Sequence, residues 1–189
     1  MDALALLTAD HNRVRGMFSR FQEAKEAEDA TRMGALAVEI FTELDVHTTI
    51  EEDIFYPWAR DLSDEIAEMI DEGLQEHHVV KILMEEMDGF EPGDDEWTAK
   101  MTVLIENVEH HAGEEESDMF PSVRSHSNVN ERDTIGVRMD TRKGELGAPV
   151  LADKIDLTDQ QLHDLATDQA IPGRSKMDHD ELAATVSPG

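Results

Sequence analysis

The chain contains the stretch HTTIEEDIFYP at residues 47–57 and a related stretch, HAGEEESDMFP, at residues 111–121. In each copy a glutamate follows a histidine by four residues, as His47 with Glu51 and as His111 with Glu115. At roughly 100° per residue of an α-helix, side chains four apart are offset by only about 40°, so both reach the same point. Each copy therefore predicts one helix that offers an imidazole nitrogen and a carboxylate together.

A second repeat precedes each of these stretches. The segment DHNRVR at residues 10–15 matches EHHVVK at residues 76–81, which aligns His11 with His77. The offset is 66 residues for this repeat and 64 residues for the first. The chain is therefore interpreted as two helix pairs related by a pseudo-twofold axis.

All six of these residues fall on apolar stripes spaced alternately by three and four residues, as one face of an α-helix requires. A single histidine in such a stripe can be a core residue bonded to a carbonyl. Six ionisable groups cannot all be explained that way, because an ionised carboxylate stripped of water costs several kcal/mol unless a counter-charge meets it. Bound cations would supply that charge. The stripes run from Leu4 to Phe21, Leu36 to Trp58, Ile66 to Met87 and Trp97 to Val123.

The order H, HxxxE, H, HxxxE, with the trailing FYP and MFP, resembles the hemerythrin-like family of HHE cation-binding domains over about residues 1–125. The resemblance implies an all-α, up-down-up-down four-helix bundle that holds a non-haem, oxo- or hydroxo-bridged pair of iron ions. Nitrogen and oxygen ligands suit iron or manganese better than copper or calcium, and zinc remains an alternative. The implied ligands are His11, His47, Glu51, His77, His111 and Glu115.

One position departs from the oxygen-storage hemerythrins, which carry a fifth histidine one turn after the first on the third helix. The corresponding residue here is Lys81. With fewer histidines filling coordination positions, the site is expected to be open enough for chemistry as well as for reversible oxygen carriage.

Several neighbouring polar residues leave alternatives open. Stripe phase and repeat alignment select His77 over His78 and His111 over His110, so His78 and His110 are expected to flank the site, where they could relay protons. Three other side chains lie close enough to add a ligand, although solvated charge, capping or packing is the expected role. These are Glu43, Tyr56 and Asp118.

Composition and charge restrict the class of protein. There is no apolar run near the length of a membrane span and no basic-then-apolar start, so a soluble cytoplasmic protein is expected. The absence of cysteine excludes disulfides, thiolate metal sites and iron–sulfur clusters. The net charge is −28, with 32 acidic and 9 basic residues in 1–125, which disfavours nucleic acid and anionic membranes as partners.

The composition changes after Arg124. Residues 126–154 show no sustained stripe and are expected to form a linker or an arm laid along the bundle. Residues 155–189 are expected to form a small helical module, with a capping box of Thr158 and Gln161 and a later helix opened by Asp178 and Glu181. Its sequence IPGRSKMDHDELAATV resembles the module at the N-terminus of transcription terminator Rho, but its acidity disfavours nucleic acid. Because so small a module buries little apolar surface, we expect it to dock on the bundle, on a second copy or on a partner protein.

Two functions follow from these expectations. The first is a hemerythrin-like di-iron protein that binds dioxygen or removes hydrogen peroxide by a catalase-like cycle, in oxidative or nitrosative stress. The second is non-enzymatic binding of oxygen, nitric oxide or iron for storage or sensing, signalled through the C-terminal module. A metal-free structural bundle is a third reading. We also expect iron binding to survive deletion of residues 126–189.

Overall fold

A computed structural model describes residues 2–148 and 157–186, which contain α-helices and no strand. The predicted all-α fold is confirmed. The first four helices form the bundle, with α1 packed on α2 and α3 packed on α4. None of the described helices is long and apolar enough to cross a membrane. The bundle helices are α1, Ala3–Glu26; α2, Ala30–Ile50; α3, Asp64–Met87; and α4, Asp95–Glu114.

Short polar side chains fix where three of these helices begin. Asp2, Asp29 and Ser63 each accept a hydrogen bond from a backbone N–H in the first turn of α1, α2 and α3. Such a cap satisfies an N–H that has no partner within the helix and contributes about 1 kcal/mol. The helix starts, and hence the height of each ligand along the bundle, are set locally.

Both glutamate-bearing helices continue through a widened π-helical turn. Helix α2 passes through Glu51–Phe55 into a last α-helical turn, Tyr56–Ala59, and α4 passes through Glu115–Met119 into Phe120–His126. In each case a backbone N–H bonds the carbonyl five residues earlier, that of the glutamate.

The cause of the widened turn is the proline that ends the FYP and MFP sequences. Pro57 and Pro121 have no N–H to give, and the proline ring clashes with the carbonyl four residues before it. The helix accommodates this by one turn of wider radius. Single π turns of this kind occur frequently at functional sites, and here each begins at a predicted metal ligand.

The apolar core is divided into two clusters along the bundle axis. One contains Leu4, Phe55 and Phe120, and the other contains Phe21 and Met101, all fully buried. On every bundle helix the predicted ligand histidine lies between the positions that contribute to the two clusters. An apolar layer therefore lies on each side of the polar layer along the bundle axis.

Residues 126–154 differ from the expected linker. Helix α5 occupies Val129–Glu145 and packs against α1 and α2, so this segment is an arm along the bundle and is itself helical. Its five buried positions have helical spacing, but two of them are charged residues. A search for apolar residues at helical spacing therefore does not detect this helix. Residues 149–154 lie outside the described part. The buried positions are Arg132, Ile135, Gly136, Met139 and Lys143.

The C-terminal residues form two short helices with their own small apolar cluster. Helix α6 is Asp159–Asp168 and α7 is His179–Thr185, with a 3-10 turn at Arg174–Lys176 between them. The predicted capping box of Thr158 and Gln161 is present, and Asp178 and Glu181 form a second one at the start of α7. This module docks on α1, where a Cβ on Gly16 would overlap the carbonyl oxygen of Gln169. Its likeness to the Rho module stays a prediction.

Candidate metal centre

All six predicted ligand residues meet in the middle of the bundle. None is more than 7% exposed, and Glu51 is completely buried. Their nitrogen and oxygen atoms form two overlapping groups, within each of which the atoms lie no more than 4.8 Å apart. Glu51 belongs to both groups. The first comprises His11, His47, Glu51 and Glu115, and the second Glu51, His77 and His111.

The two glutamates lie between the two pairs of histidines. Oε2 of Glu51 is 3.3 Å from Nε2 of His47 and 3.3 Å from Nε2 of His77. Oε2 of Glu115 is 3.3 Å from Nε2 of His11 and 3.8 Å from Nε2 of His111. Each carboxylate thus faces one histidine of its own helix and one of another helix, which is an arrangement suited to bridging two cations.

The donor atoms have unmet bonding capacity of the kind that cations would satisfy. Within the described residues, both oxygens of Glu51, Oε2 of Glu115 and Nε2 of His11 are buried without a hydrogen-bond partner. Nε2 of His77 and of His111 face each other at 3.1 Å. Buried polar atoms are nearly always bonded in folded proteins. The residues therefore fit a pair of cations with nitrogen and oxygen ligation.

Electrostatics in the absence of a cation support this fit. Burial and the neighbouring Glu115 raise the pKa of Glu51 well above its usual value, so that carboxyl tends to hold a proton. Burial opposes a charge on His11, but the negative charge of Glu115 and the hydrogen bond to Glu116 outweigh it and raise its pKa to about 9. Burial lowers the pKa of His47 to about 4. Protons on Glu51 and His11 thus reduce the net negative charge of the buried carboxylates, and bound cations would do the same in their place.

A second layer of carboxylates faces the other nitrogen of each histidine. Such carboxylates fix the ring orientation and leave the proton on Nδ1, so that Nε2 is free to bind a metal. Every one comes from a neighbouring helix. The Nδ1 contacts are His11 to Glu116 at 2.8 Å, His77 to Glu52 at 2.9 Å, His111 to Glu76 at 2.7 Å, and His47 to Asp10 at 3.6 Å.

The sequence interpretation missed this second layer, although a signal was present. Asp10 directly precedes His11, and Glu76 directly precedes His77. Glu52 and Glu116 directly follow the two predicted ligand glutamates. One acidic residue thus stands beside a ligand on each of the four helices, in the same place in both repeats. What the sequence does not show is which histidine each carboxylate faces, since that depends on how the helices pack.

Lys81, the departure from the storage proteins, belongs to a third layer. Its Nζ donates to Oε1 of Glu52 at 2.7 Å. Its counterpart in the first repeat, Arg15, donates to Oε1 of Glu116 at 2.8 Å. Both cations thus neutralise carboxylates that orient predicted ligand histidines.

Tyr56 lies inside the site, whereas packing was the expected role. Its hydroxyl donates to Oε1 of Glu115 at 3.0 Å and lies 3.5 and 3.4 Å from Nε2 of His77 and His111. Burial and the negative charge of Glu115 raise the pKa of Tyr56, so the phenol keeps its proton. Gly73 leaves room for this contact, because a Cβ there would lie 3.3 Å from the Tyr56 oxygen and 3.1 Å from Cε1 of His111.

The remaining candidates lie outside the ligand clusters. Glu43 accepts a hydrogen bond from Arg13 at 2.9 Å. His78 and Asp118 are exposed. His110 is 64% exposed at its side chain, and its Nε2 lies 3.7 Å from Oε1 of Glu76. His110 is thus the one of these four placed beside a second-layer carboxylate.

A small cavity adjoins the histidines. Its volume is about 30 Å³, which is room for one or two water-sized molecules. Carbon atoms form most of its wall, contributed by polar and apolar side chains on all four bundle helices. Those side chains include Val14, Phe18, Leu44, Val80 and Val108.

Comparison with known proteins agrees with this geometry. The hemerythrin HHE cation binding domain matches residues 2–123. A DNA nickase from Nostoc sp. (strain PCC 7120 / SAG 25.82 / UTEX 2576) is 26% identical over 127 residues, which are 66% of this chain and 34% of that protein. The chain thus spans about a third of that relative's length. No solved structure matches the chain. With its ligand-bearing helices all inside the matched region, the chain belongs to the hemerythrin HHE cation-binding domain family.

Proposed function

We propose that the chain holds two iron ions and uses them to bind dioxygen or to decompose hydrogen peroxide. Bound iron would supply the redox chemistry, because it cycles between ferrous and ferric states at neutral pH. The ligands would be the six predicted residues, with Glu51 and Glu115 shared between the metals. A cytoplasmic role in oxidative or nitrosative stress defence is part of the same proposal.

The observation that carries the proposal is the pair of ligand groups sharing Glu51, next to a cavity of about 30 Å³. Two shared carboxylates with four histidines leave coordination positions that protein atoms do not fill. A cavity of that size admits a diatomic molecule or a peroxide. Its mostly carbon wall suits dioxygen, and the histidines beside it offer hydrogen-bonding groups to hydrogen peroxide.

The protein's own residues would then orient the ligand histidines and hold a proton close to the metal site. The Nδ1 carboxylates fix the histidine rings, and Tyr56 keeps a proton 3.0 Å from Glu115. In the catalase-like reaction two molecules of hydrogen peroxide give one dioxygen and two waters. One peroxide is oxidised and the other reduced, so no outside reductant is needed and the protons released by the first are consumed by the second.

The test combines metal analysis with an oxygen electrode. Protein from iron-replete cells should contain about two irons per chain, and hydrogen peroxide should then release dioxygen at half the rate at which peroxide disappears. His111→Ala should lose iron and activity together, whereas His78→Ala, at the adjacent exposed position, should keep both. An iron-free wild-type protein would refute the metal assignment, and loaded protein that leaves peroxide intact would refute the enzyme.

The second candidate function is non-enzymatic binding of oxygen, nitric oxide or iron, signalled through the C-terminal module. The observation that favours it is the docking of α7 on α1, where Arg13 donates to the carbonyls of Ala184 and Thr185. Reversible binding of dioxygen or nitric oxide to the ferrous protein, followed optically and without peroxide turnover, would favour this candidate over the first.

DNA nicking is not extended to this chain from its relative. The match covers 34% of that protein, so the part responsible for its nicking activity need not be the part that this chain resembles. The net charge of −28 here repels the phosphate backbone. We propose no nucleic-acid partner and no membrane partner.

A further inference from the structure

Asp10 holds an unusual place among the second-layer carboxylates. It is 2% exposed, and its Oδ2 and the Nδ1 of His47 are both without a hydrogen-bond partner while facing each other at 3.6 Å. The other three carboxylates are partly exposed and bond their histidines directly. A buried carboxylate needs a counter-charge, so what neutralises Asp10 also determines how it meets His47.

One of the two cations that neutralise Asp10 comes from outside the segment that matches the family. Lys143 lies on α5, is 4% exposed, and donates through Nζ to Oδ1 of Asp10. The guanidinium of Arg13 donates to the same oxygen. Both cations therefore occupy Oδ1, which leaves Oδ2 as the oxygen that faces His47.

We propose that Lys143 is a positioning residue for the metal centre: it holds the Asp10 carboxylate against His47, so that His47 presents Nε2 to the cation shared with Glu51. The inference rests on the proposed metal centre. A cation at Nε2 fixes the ring proton on Nδ1. That N–H is a donor suited to Oδ2 of Asp10, and closing 3.6 Å to hydrogen-bond length needs a small side-chain shift.

The consequence is that the two metal positions depend on the C-terminal segment unequally. His47 belongs to the first ligand group only, whereas His77 and His111 have their Nδ1 carboxylates on the bundle itself. Helix α5 therefore supports the metal position that includes His47, whereas the position formed by His77 and His111 does not depend on it. This reverses the sequence-based expectation that residues 126–189 are dispensable for iron binding.

The test is a titration of the full chain with ferrous iron, without oxygen, against a competing chelator. Lys143→Met should weaken one of the two iron sites by about 10- to 100-fold, the usual effect of losing an outer-layer partner of a ligand histidine. Lys143→Arg should restore most of the affinity. Arg138→Met is the matched control, because it removes one positive charge from an exposed position of the same helix and should change neither site.

A double variant separates positioning from simple stabilisation. Lys143→Met alone leaves the Asp10 charge buried with less compensation and should destabilise the metal-free protein, whereas adding Asp10→Asn should return the stability toward wild type. Iron affinity should stay low in the double variant, since His47 then faces no carboxylate. Affinity that recovers with stability would overturn the proposal, as would unchanged binding by Lys143→Met. A wild-type protein that binds no iron would instead sink the proposed function along with this inference.

Discussion

Replacing Glu51 by methionine tests the reading of the centre most directly. Methionine has about the same length and no charge, and it fills irregular space with little strain. Both carboxylate oxygens of Glu51 are buried without a hydrogen-bond partner, and the residue belongs to both ligand groups. The substitution should therefore have opposite effects on the metal-free and the iron-loaded protein.

The magnitudes follow from these two facts. Removing a buried carboxyl that has no hydrogen-bond partner should stabilise the metal-free protein by about 1–3 kcal/mol. For a chain of this size about 1 kcal/mol corresponds to roughly 2–4 °C in Tm. Iron at one hundred times its Kd should stabilise the wild type by about 2.7 kcal/mol. Glu51→Met should lose that gain, because both groups lose a shared ligand.

The assay is thermal and denaturant unfolding of wild type and variant, each with and without ferrous iron under nitrogen. The variant should be the more stable protein without iron and the less stable one with it. Glu106→Met, at an exposed position of α4, is the control and should behave as wild type in both conditions. A variant that is weaker than wild type without metal, or that gains as much as wild type from iron, would contradict the reasoning.

Three further changes test other parts of the site. Tyr56→Phe should keep both irons but lower the free energy of unfolding by about 1–2 kcal/mol in urea, because the hydrogen bond to Glu115 is lost. Gly73→Ala should weaken iron binding by about tenfold or more in the chelator titration, because its Cβ would lie 3.1 Å from His111 and displace the ring; unchanged affinity would show that the ring can yield. His110→Ala should leave iron affinity within about twofold, since that residue is exposed and lies outside both buried ligand groups.

Much of the bundle could be predicted because the features that define its helices involve residues close together in the sequence. Helical spacing of apolar residues placed the four helices, and polar residues such as Ser63 placed their starts. The prolines of FYP and MFP carry the reason for the π turns, although that consequence was seen only in the structure. The six proposed ligands meet where the stripes predicted, because residues four apart on a helix share a face.

Helix α5 could not be predicted in this way. Its buried face includes Arg132 and Lys143, and a pattern search reads charged residues as exposed. Arg132 is paired with Asp2 at the start of α1, and Lys143 with Asp10 in its middle. These partners are distant in sequence, so the stripe becomes visible only when α1 lies beside it.

The amino-acid sequence by itself determined the four bundle helices, the family and the residues offered to a cation, because each of those depends on spacing within one helix or on repeats of it. The tertiary structure alone decided which carboxylate orients which histidine, that Tyr56 reaches Glu115, and that Lys143 neutralises Asp10 across 133 residues. The physical reason is that a buried charge is tolerated only beside its partner, and partners on different helices are chosen by packing.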